Sequence, residues 1–300
     1  MAPVTSSAPN HSPALTGAFW MIMAGVAYAT GNILIQQMTM VLGFPTASIA
    51  FWQYGIALLF SLPYVLKIGL RSMRSQHPMM HLVRIVLSAC GVQAWTFGLA
   101  SVPISQAIAL VMTSPFFIII GARLFLGERV GASRWAATAV GFAGALIILQ
   151  PWSEAFTPAA LLPVLAALLW GGVSLITKRL TAVERPEAIT IWLLLLLTPI
   201  NFAVALGGGF EIPTGGLILL LGSLGIVTAL AQYFLTLAYA SADAAYVQPF
   251  DDLKLPLNVI GGWLVFGFAP SPVFWVGGVM ILGASLFIMT RERRREVRRD

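Results

Sequence analysis

The run IVLSACGVQAWTFGLASVPISQAIALVMTSPFFIIIGA, from Ile85 to Ala122, contains no charged residue. As a single helix it would be about 57 Å long at 1.5 Å per residue, whereas the hydrocarbon core of a bilayer is about 30 Å thick. Ser101-Val102-Pro103 interrupts the run near its middle, because proline disfavours helical geometry in the residue before it. The run therefore predicts two consecutive membrane-spanning helices.

The composition extends this interpretation to the whole chain. Of the 300 residues, 58% are hydrophobic and only 9% are charged, whereas soluble domains contain about 25% charged residues. This balance excludes an ordinary soluble enzyme, a disordered chain and a nucleic-acid-binding protein, in spite of the net charge of +6. The single cysteine, Cys90, excludes an internal disulfide and a cysteine-based metal site. We predict no metal ion and no cofactor.

Uncharged runs recur along the chain, and Gly or Pro interrupts those that are too long for one span. They predict an all-α integral membrane protein with ten transmembrane helices and short tails at residues 1–14 and 291–300. The predicted spans are Leu15–Met40, Thr46–Leu66, Leu82–Ser101, Ser105–Leu126, Trp135–Leu149, Pro158–Thr177, Glu187–Leu206, Gly216–Ala240, Ala244–Phe268 and Pro272–Thr290.

The basic residues predict the orientation of these spans. Of the 17 lysine and arginine residues, all but Lys254 fall on one side of the ten-span arrangement. Basic residues concentrate in short cytoplasmic loops, so we expect both termini to be cytoplasmic in a multi-pass protein of the bacterial inner membrane. Lys254 falls inside the ninth span.

Short sequence similarities recur five spans apart. The segment Tyr28–Leu34 (YATGNIL) corresponds to Trp170–Ile176 (WGGVSLI), and Trp95–Ala100 (WTFGLA) corresponds to Tyr233–Ala238 (YFLTLA). In the same way, a proline and a glycine six residues apart occur in the fourth and ninth spans, as Pro115 with Gly121 and Pro256 with Gly262. Because five is odd, the second copy enters the membrane from the opposite side. We predict two inverted five-helix repeats, residues 15–150 and 151–290, with a substrate site between them near the middle of the membrane.

Two motifs carry a family resemblance. Ser114-Pro115-Phe116, followed by Leu126-Gly127-Glu128-Arg129 and then Gly141 and Gly144, resembles the fourth-to-fifth-helix signature of EamA-type transporters in the drug/metabolite transporter superfamily. The segment Pro249–Gly267 is similar to a bacterial subgroup, although Phe268 stands where many members have a glutamate. The resemblance covers Gly17 to Ile288, and within the family it is closest to the YddG-type exporters of aromatic amino acids. It implies the ten-helix fold and secondary transport of small metabolites.

Polar and aromatic side chains within the spans indicate the substrate pathway, because polar groups in hydrocarbon cost several kcal/mol unless they are partnered. One interpretation is that they line a central cavity, and the other is that they join neighbouring helices. The candidate substrate-binding residues outside the ninth span are Tyr28, Asn32, Gln93, Trp95, Trp170, Ser174 and Tyr233.

The ninth span carries the charged part of the predicted site. Asp251, Lys254 and Asn258 recur on one helical face, and Asp252 lies about 100° around the helix from Asp251. In the functional interpretation Lys254 and Asn258 bind substrate, with Lys254 receiving a carboxylate, and Asp251 or Asp252 couples transport to charge or gates it. In the structural interpretation an Asp-Lys pair neutralises itself and stabilises the helix. The sequence leaves both open.

The site composition predicts the substrate class. Aromatic rings beside amides and a small charged cluster suit a zwitterion with an apolar body, so we expect a monomeric exporter of neutral, preferably aromatic, amino acids in contact with membrane lipid. The alternatives are an exporter or importer of another small metabolite or drug, and a membrane enzyme acting on lipid-linked substrates. The sequence contains none of the enzyme motifs sought, such as a Walker loop or a Gly-x-Ser-x-Gly elbow, and we predict that the protein is not an enzyme.

Overall fold

A computed structural model describes residues 13–68, 75, 77–125, 127, 130–154, 156–180, 183–184, 186–241 and 250–296. These residues are helical or irregular, with no β-strand among them. The helices are α1 (Pro13–Gln36), which continues as a wider turn at Gln37–Val41, α2 (Thr46–Ile68), α3 (Pro78–Ser101), α4 (Ile104–Val111), α5 (Ser114–Phe125), α6 (Ala132–Leu149), a short 3₁₀ segment (Pro158–Leu161), α7 (Leu162–Leu180), α8 (Pro186–Gly208), α9 (Gly216–Ser241), α10 (Lys254–Phe266) and α11 (Pro272–Glu296).

Helix is present at the position of every predicted span, and six helical segments are by themselves long and apolar enough to cross a membrane. The six segments are Leu15–Val41, Pro78–Ser101, Ile104–Phe125, Ala132–Leu149, Pro158–Thr177 and Gly216–Leu235. The all-helical membrane fold is thus confirmed for the described residues, whereas the count of ten spans and the inversion of the repeats stay predictions. Most of the N-terminal tail, residues 297–300 of the basic tail, three residues of the Leu126–Arg129 motif and the start of the ninth span lie outside the described residues.

Two of the predicted spans are discontinuous, and both breaks precede a proline. The fourth span is divided at Met112 and Thr113, between α4 and α5, and the ninth turns at Asp252 and Leu253 before α10. Pro115 and Pro256 follow these turns, and a proline ring clashes with the carbonyl four residues earlier, which belongs to Val111 or Asp252. The matching position of the two breaks agrees with the repeat that the sequence predicts.

The most extensive helix packings all join the first half of the chain to the second. Helix α1 packs along α9, α3 along α7, α2 along α8, and α6 along α11. If each predicted span is replaced by the corresponding span of the other half, the α1–α9 pair becomes the α7–α3 pair. The same replacement leaves the α2–α8 and α6–α11 pairs unchanged. This exchange is the packing pattern expected of a pseudo-twofold axis between the halves.

A buried polar cluster holds the first turns of α3 against the second half. Helix α3 begins at Pro78, before the predicted start of the third span, and the side chains of His81 and Arg84 are both buried. His81 Nε2 lies 2.7 Å from Glu184 Oε2, just beyond α7, and Arg84 donates to Thr177 Oγ1 at 2.8 Å and to the Ile189 carbonyl at 3.1 Å. The predicted start of the third span, at Leu82, is therefore one turn late.

The ten-span arrangement makes a direct prediction about topology. After Asp300, a reporter that works in the cytoplasm should be active, and a reporter that works only outside the cytoplasm should be inactive. This follows because the charge asymmetry orients both termini inward. Paired fluorescent-protein and alkaline-phosphatase fusions measure this. Phosphatase activity at Asp300 would contradict a cytoplasmic C-terminus and with it the predicted ten-span arrangement.

Candidate substrate site

Three side chains from three helices form a hydrogen-bonded chain in the interior. Asn32 on α1 donates from Nδ2 to Asn258 Oδ1 on α10 at 3.0 Å, and Trp95 on α3 donates from Nε1 to Asn32 Oδ1 at 3.2 Å. Asn258 is fully buried, Trp95 is 7% exposed and Asn32 is half-buried. Both halves of the protein contribute to this chain, which we call the amide cluster (Asn32, Trp95 and Asn258).

A second tryptophan extends the amide cluster. The ring of Trp170 on α7 lies 6.0 Å from that of Trp95, with an angle of 49° between the ring planes. Gly91 on α3 permits this position, because a Cβ atom there would lie 2.6 Å from Trp170 Nε1. The two indole rings therefore lie beside each other at a tilted angle, next to the amides.

The charged residues adjoin the cluster through the backbone of α10. Asn258 donates from Nδ2 to the Lys254 carbonyl at 2.6 Å, and Lys254 Nζ lies 2.7 Å from Asp251 Oδ2. The Lys254 and Asp251 side chains are 27% and 18% exposed, so the ion pair borders open space. The neighbouring Asp252 is half-buried, and its Oδ2 atom has no hydrogen-bond partner among the described residues.

Other candidates lie elsewhere. Gln93 points to the opposite side of α3 from Trp95 and donates to Asn201 Oδ1 on α8 at 3.0 Å. The Ser174 hydroxyl donates to the Trp170 carbonyl of its own helix at 2.9 Å. Tyr233 is 56% exposed and lies beside Phe234. Tyr28 lies on α1 one turn before Asn32 and is half-buried.

Sequence reasoning missed the roles of Gln36, Asn201 and Gly91. Gln36 is fully buried and donates to the Leu99 and Val102 carbonyls at 3.1 and 2.9 Å. It therefore supports the end of α3 and does not line a cavity. Asn201 is an amide residue in the predicted span Glu187–Leu206. The helix that its side chain contacts depends on packing, which the sequence does not give.

The groups gathered here make the amide cluster a candidate binding site. The described residues contain no group of three or more His, Cys, Asp or Glu side chains able to hold a metal ion. Instead, the two repeats bring amide donors and acceptors, two indole faces and an internally paired charge to one place. Such an arrangement can bind a flat, polar-edged molecule at the meeting of two discontinuous helices.

A model of the EamA-like transporter family matches residues 15–150 and 157–290. The chain belongs to this family. Among curated EamA-type relatives, a riboflavin transporter of Rhizobium johnstonii is 65% identical over 97% of each chain. A riboflavin transporter of Brucella anthropi is 50% identical over 91% of this chain and 98% of its own. A solved crystal structure at 19% identity covers 94% of this chain and 99% of that chain with a TM-score of 0.63, and it supports the fold alone.

These comparisons confirm the EamA assignment and establish a multi-pass membrane transporter and not an enzyme. They do not support the narrower likeness to YddG-type exporters of aromatic amino acids, because the close relatives are named for riboflavin. The motifs from Ser114 to Gly144 led to the family assignment, and membership of a family does not by itself determine the substrate.

The close approach of Gly91 and Trp170 makes a testable prediction. Changing Gly91 to alanine should displace the Trp170 ring and lower transport by about tenfold, while helix stability changes by about 1 kcal/mol or less, since alanine favours helix over glycine. Transport assays and tryptophan fluorescence of the purified variant measure the two effects. Gly222→Ala on α9 is the control, because a Cβ there has nothing within 4 Å. Equal losses in both variants would contradict the proposed position of Trp170.

Proposed function

We propose that this EamA-type protein transports riboflavin across the bacterial inner membrane. The observation that carries the proposal is the 65% identity to a riboflavin transporter over 97% of both chains, since proteins this similar usually retain the substrate-contacting residues. The relative at 50% identity has the same name. The amino-acid substrate expected from the sequence has no support from these relatives.

The amide cluster suits a flavin in chemical terms. The isoalloxazine ring system of riboflavin is flat and aromatic, and it has a pyrimidine edge with one N–H donor between two carbonyl acceptors. Trp95 and Trp170 offer ring faces 6.0 Å apart between centroids for stacking on such a ring. Asn32 and Asn258, which are hydrogen-bonded to each other in this conformation, would exchange that bond for donors and acceptors on the flavin edge when substrate binds. Lys254 is then adjacent to the bound ring and does not need a substrate carboxylate.

For the mechanism we propose alternating access of two inverted repeats around this site. The helices are interrupted before α5 and α10, and discontinuous helices of this kind form the substrate sites of transporters built from repeats. Tyr28, Gln93, Ser174 and Tyr233 remain proposed lining residues of the other conformations. Asp251 and Asp252 are the proposed coupling or gating residues, because they are the acids nearest the cluster along α10. We keep the expectation of a monomer with both termini in the cytoplasm.

Transport assays in proteoliposomes test the proposal directly. Purified protein is reconstituted, riboflavin or a neutral aromatic amino acid is placed inside or outside, and flux is followed in both directions with and without a proton gradient. We expect saturable riboflavin flux and none of the amino acid. Trp95→Ala should remove the flux, whereas Trp275→Ala, an exposed residue of α11, should not. Amino-acid flux without riboflavin flux would restore the prediction made from the sequence.

A further inference from the structure

The charges of the central site are gathered at the break before α10. Asp251, Asp252 and Lys254 lie within four consecutive positions, and two carboxylates against one ammonium leave a formal charge of −1. The corresponding break of the first half carries Met112 and Thr113 and has no charge. The two breaks therefore differ in charge, since the first is neutral and the second has a net negative charge.

The ammonium group of Lys254 is already paired with a carboxylate. Lys254 Nζ is 2.7 Å from Asp251 Oδ2, with the side chains 27% and 18% exposed. Asp252 Oδ2 is buried, with no hydrogen-bond partner in the described part of the chain. An anionic group that entered here would meet a neutralised lysine and a second carboxylate.

The remaining side chains of the site do not offset the net negative charge of Asp251, Asp252 and Lys254. Asn32, Trp95 and Asn258 are neutral and already hydrogen-bonded to one another. Arg84, the basic residue of α3, is held by Thr177 and Ile189. In the low dielectric of a protein interior, charge repulsion over a few ångströms is much stronger than in water.

We infer that the segment Asp251–Lys254 is a charge filter that admits uncharged riboflavin and rejects phosphorylated flavins. The inference rests on the proposed function and adds a specificity role for Asp252. A phosphate monoester carries about −1.5 to −2 charges at neutral pH, so riboflavin 5′-phosphate is repelled by the net negative charge, while riboflavin is not. The identical flavin ring in both molecules makes the phosphate the only difference between them.

Binding to purified protein in nanodiscs tests the filter without requiring turnover. The quenching of flavin fluorescence gives dissociation constants for riboflavin and riboflavin 5′-phosphate. We expect the wild type to bind the phosphate ester about 100-fold more weakly, and Asp252→Asn to narrow this ratio to about tenfold or less, each factor of ten being about 1.4 kcal/mol. Asp251→Asn makes the same change of charge and should narrow the ratio as well. Glu154→Gln, which removes an exposed acid beyond α6, should leave the ratio unchanged.

The possible outcomes separate the filter from the proposed function. Equal wild-type affinity for both flavins overturns the filter and leaves riboflavin transport standing. The filter is also wrong if Asp252→Asn changes the ratio of the two dissociation constants by less than threefold. It is equally wrong if Glu154→Gln changes this ratio as much as Asp252→Asn does. If only Asp251→Asn narrows the ratio, the ion pair and not the net charge determines specificity, and the filter is wrong. Absence of riboflavin binding in the wild type rejects the proposed function and the filter together.

Discussion

Replacing Asn258 with leucine is expected to lower riboflavin transport by about 100-fold or more, a change of at least about 2.7 kcal/mol in transition-state free energy. Asn258 is fully buried and accepts the hydrogen bond from Asn32, so it connects the two repeats at the amide cluster. Leucine leaves the Asn32 amide without this partner and removes the acceptor that we propose for the flavin edge. The unfolding free energy should fall by only about 1 to 3 kcal/mol, the usual cost of one unpaired buried polar group.

A control variant distinguishes loss of the substrate site from general destabilisation of the helix bundle. Gln53 on α2 makes another hydrogen bond between helices, donating to Thr228 Oγ1 on α9 at 3.1 Å. Gln53→Leu should therefore destabilise the protein to a similar degree while retaining most of the transport. Flux in proteoliposomes and thermal unfolding in detergent measure both quantities. If the two variants lose transport equally, the amide cluster is architectural.

Replacing Gly262 with leucine is expected to reduce the yield of folded protein by about fivefold or more. Gly262 is buried where α10 crosses α4, and a Cβ atom there would overlap Ile104 Cγ2. Overpacking a tight site typically costs about 1 to 3 kcal/mol and sometimes more, and here it also separates the two discontinuous helices. Size-exclusion recovery and thermal unfolding check the result.

Gly283→Leu is the matched control for this overpacking. A Cβ at Gly283 on α11 has nothing within 4 Å, so the variant should fold as the wild type does. Gly267 is a poorer control, because it ends α10 with a φ of 70° and a leucine there is strained by about 1 to 2 kcal/mol. Normal folding of Gly262→Leu would show that α10 does not pack on α4 as described.

The membrane fold could be predicted from the sequence because its signals are local. Uncharged runs, basic loops and interrupting Gly or Pro residues each act within one helix length. The breaks at Thr113 and Asp252 were also readable, since Pro115 and Pro256 stand just after them. The spans were nonetheless predicted as continuous, because a proline in a membrane helix can equally be tolerated with a kink.

The site could be predicted only in part because it depends on helix rotation. Asn32 is hydrogen-bonded to both Trp95 and Asn258, and Trp170 lies beside Trp95. The sequence proposed these residues for the site without indicating which of them pair. Gln93, two residues from Trp95, faces α8 instead, and the polarity of a residue does not say which of two neighbouring helices it meets. The substrate was harder still, because aromatic and amide groups suit an amino acid and a flavin alike.

The packing of each half against the other has a consequence for biogenesis. Helices α1, α3 and α6 find their main partners in α9, α7 and α11. These partners begin 203, 84 and 140 residues later in the chain, so each leaves the ribosome well after the helix it packs against. The early helices must therefore wait in the bilayer with their contact faces covered by lipid or by an insertion chaperone. It follows that the halves, produced as two separate polypeptides cut in the loop near Glu154, should each be degraded when alone and should assemble when made together.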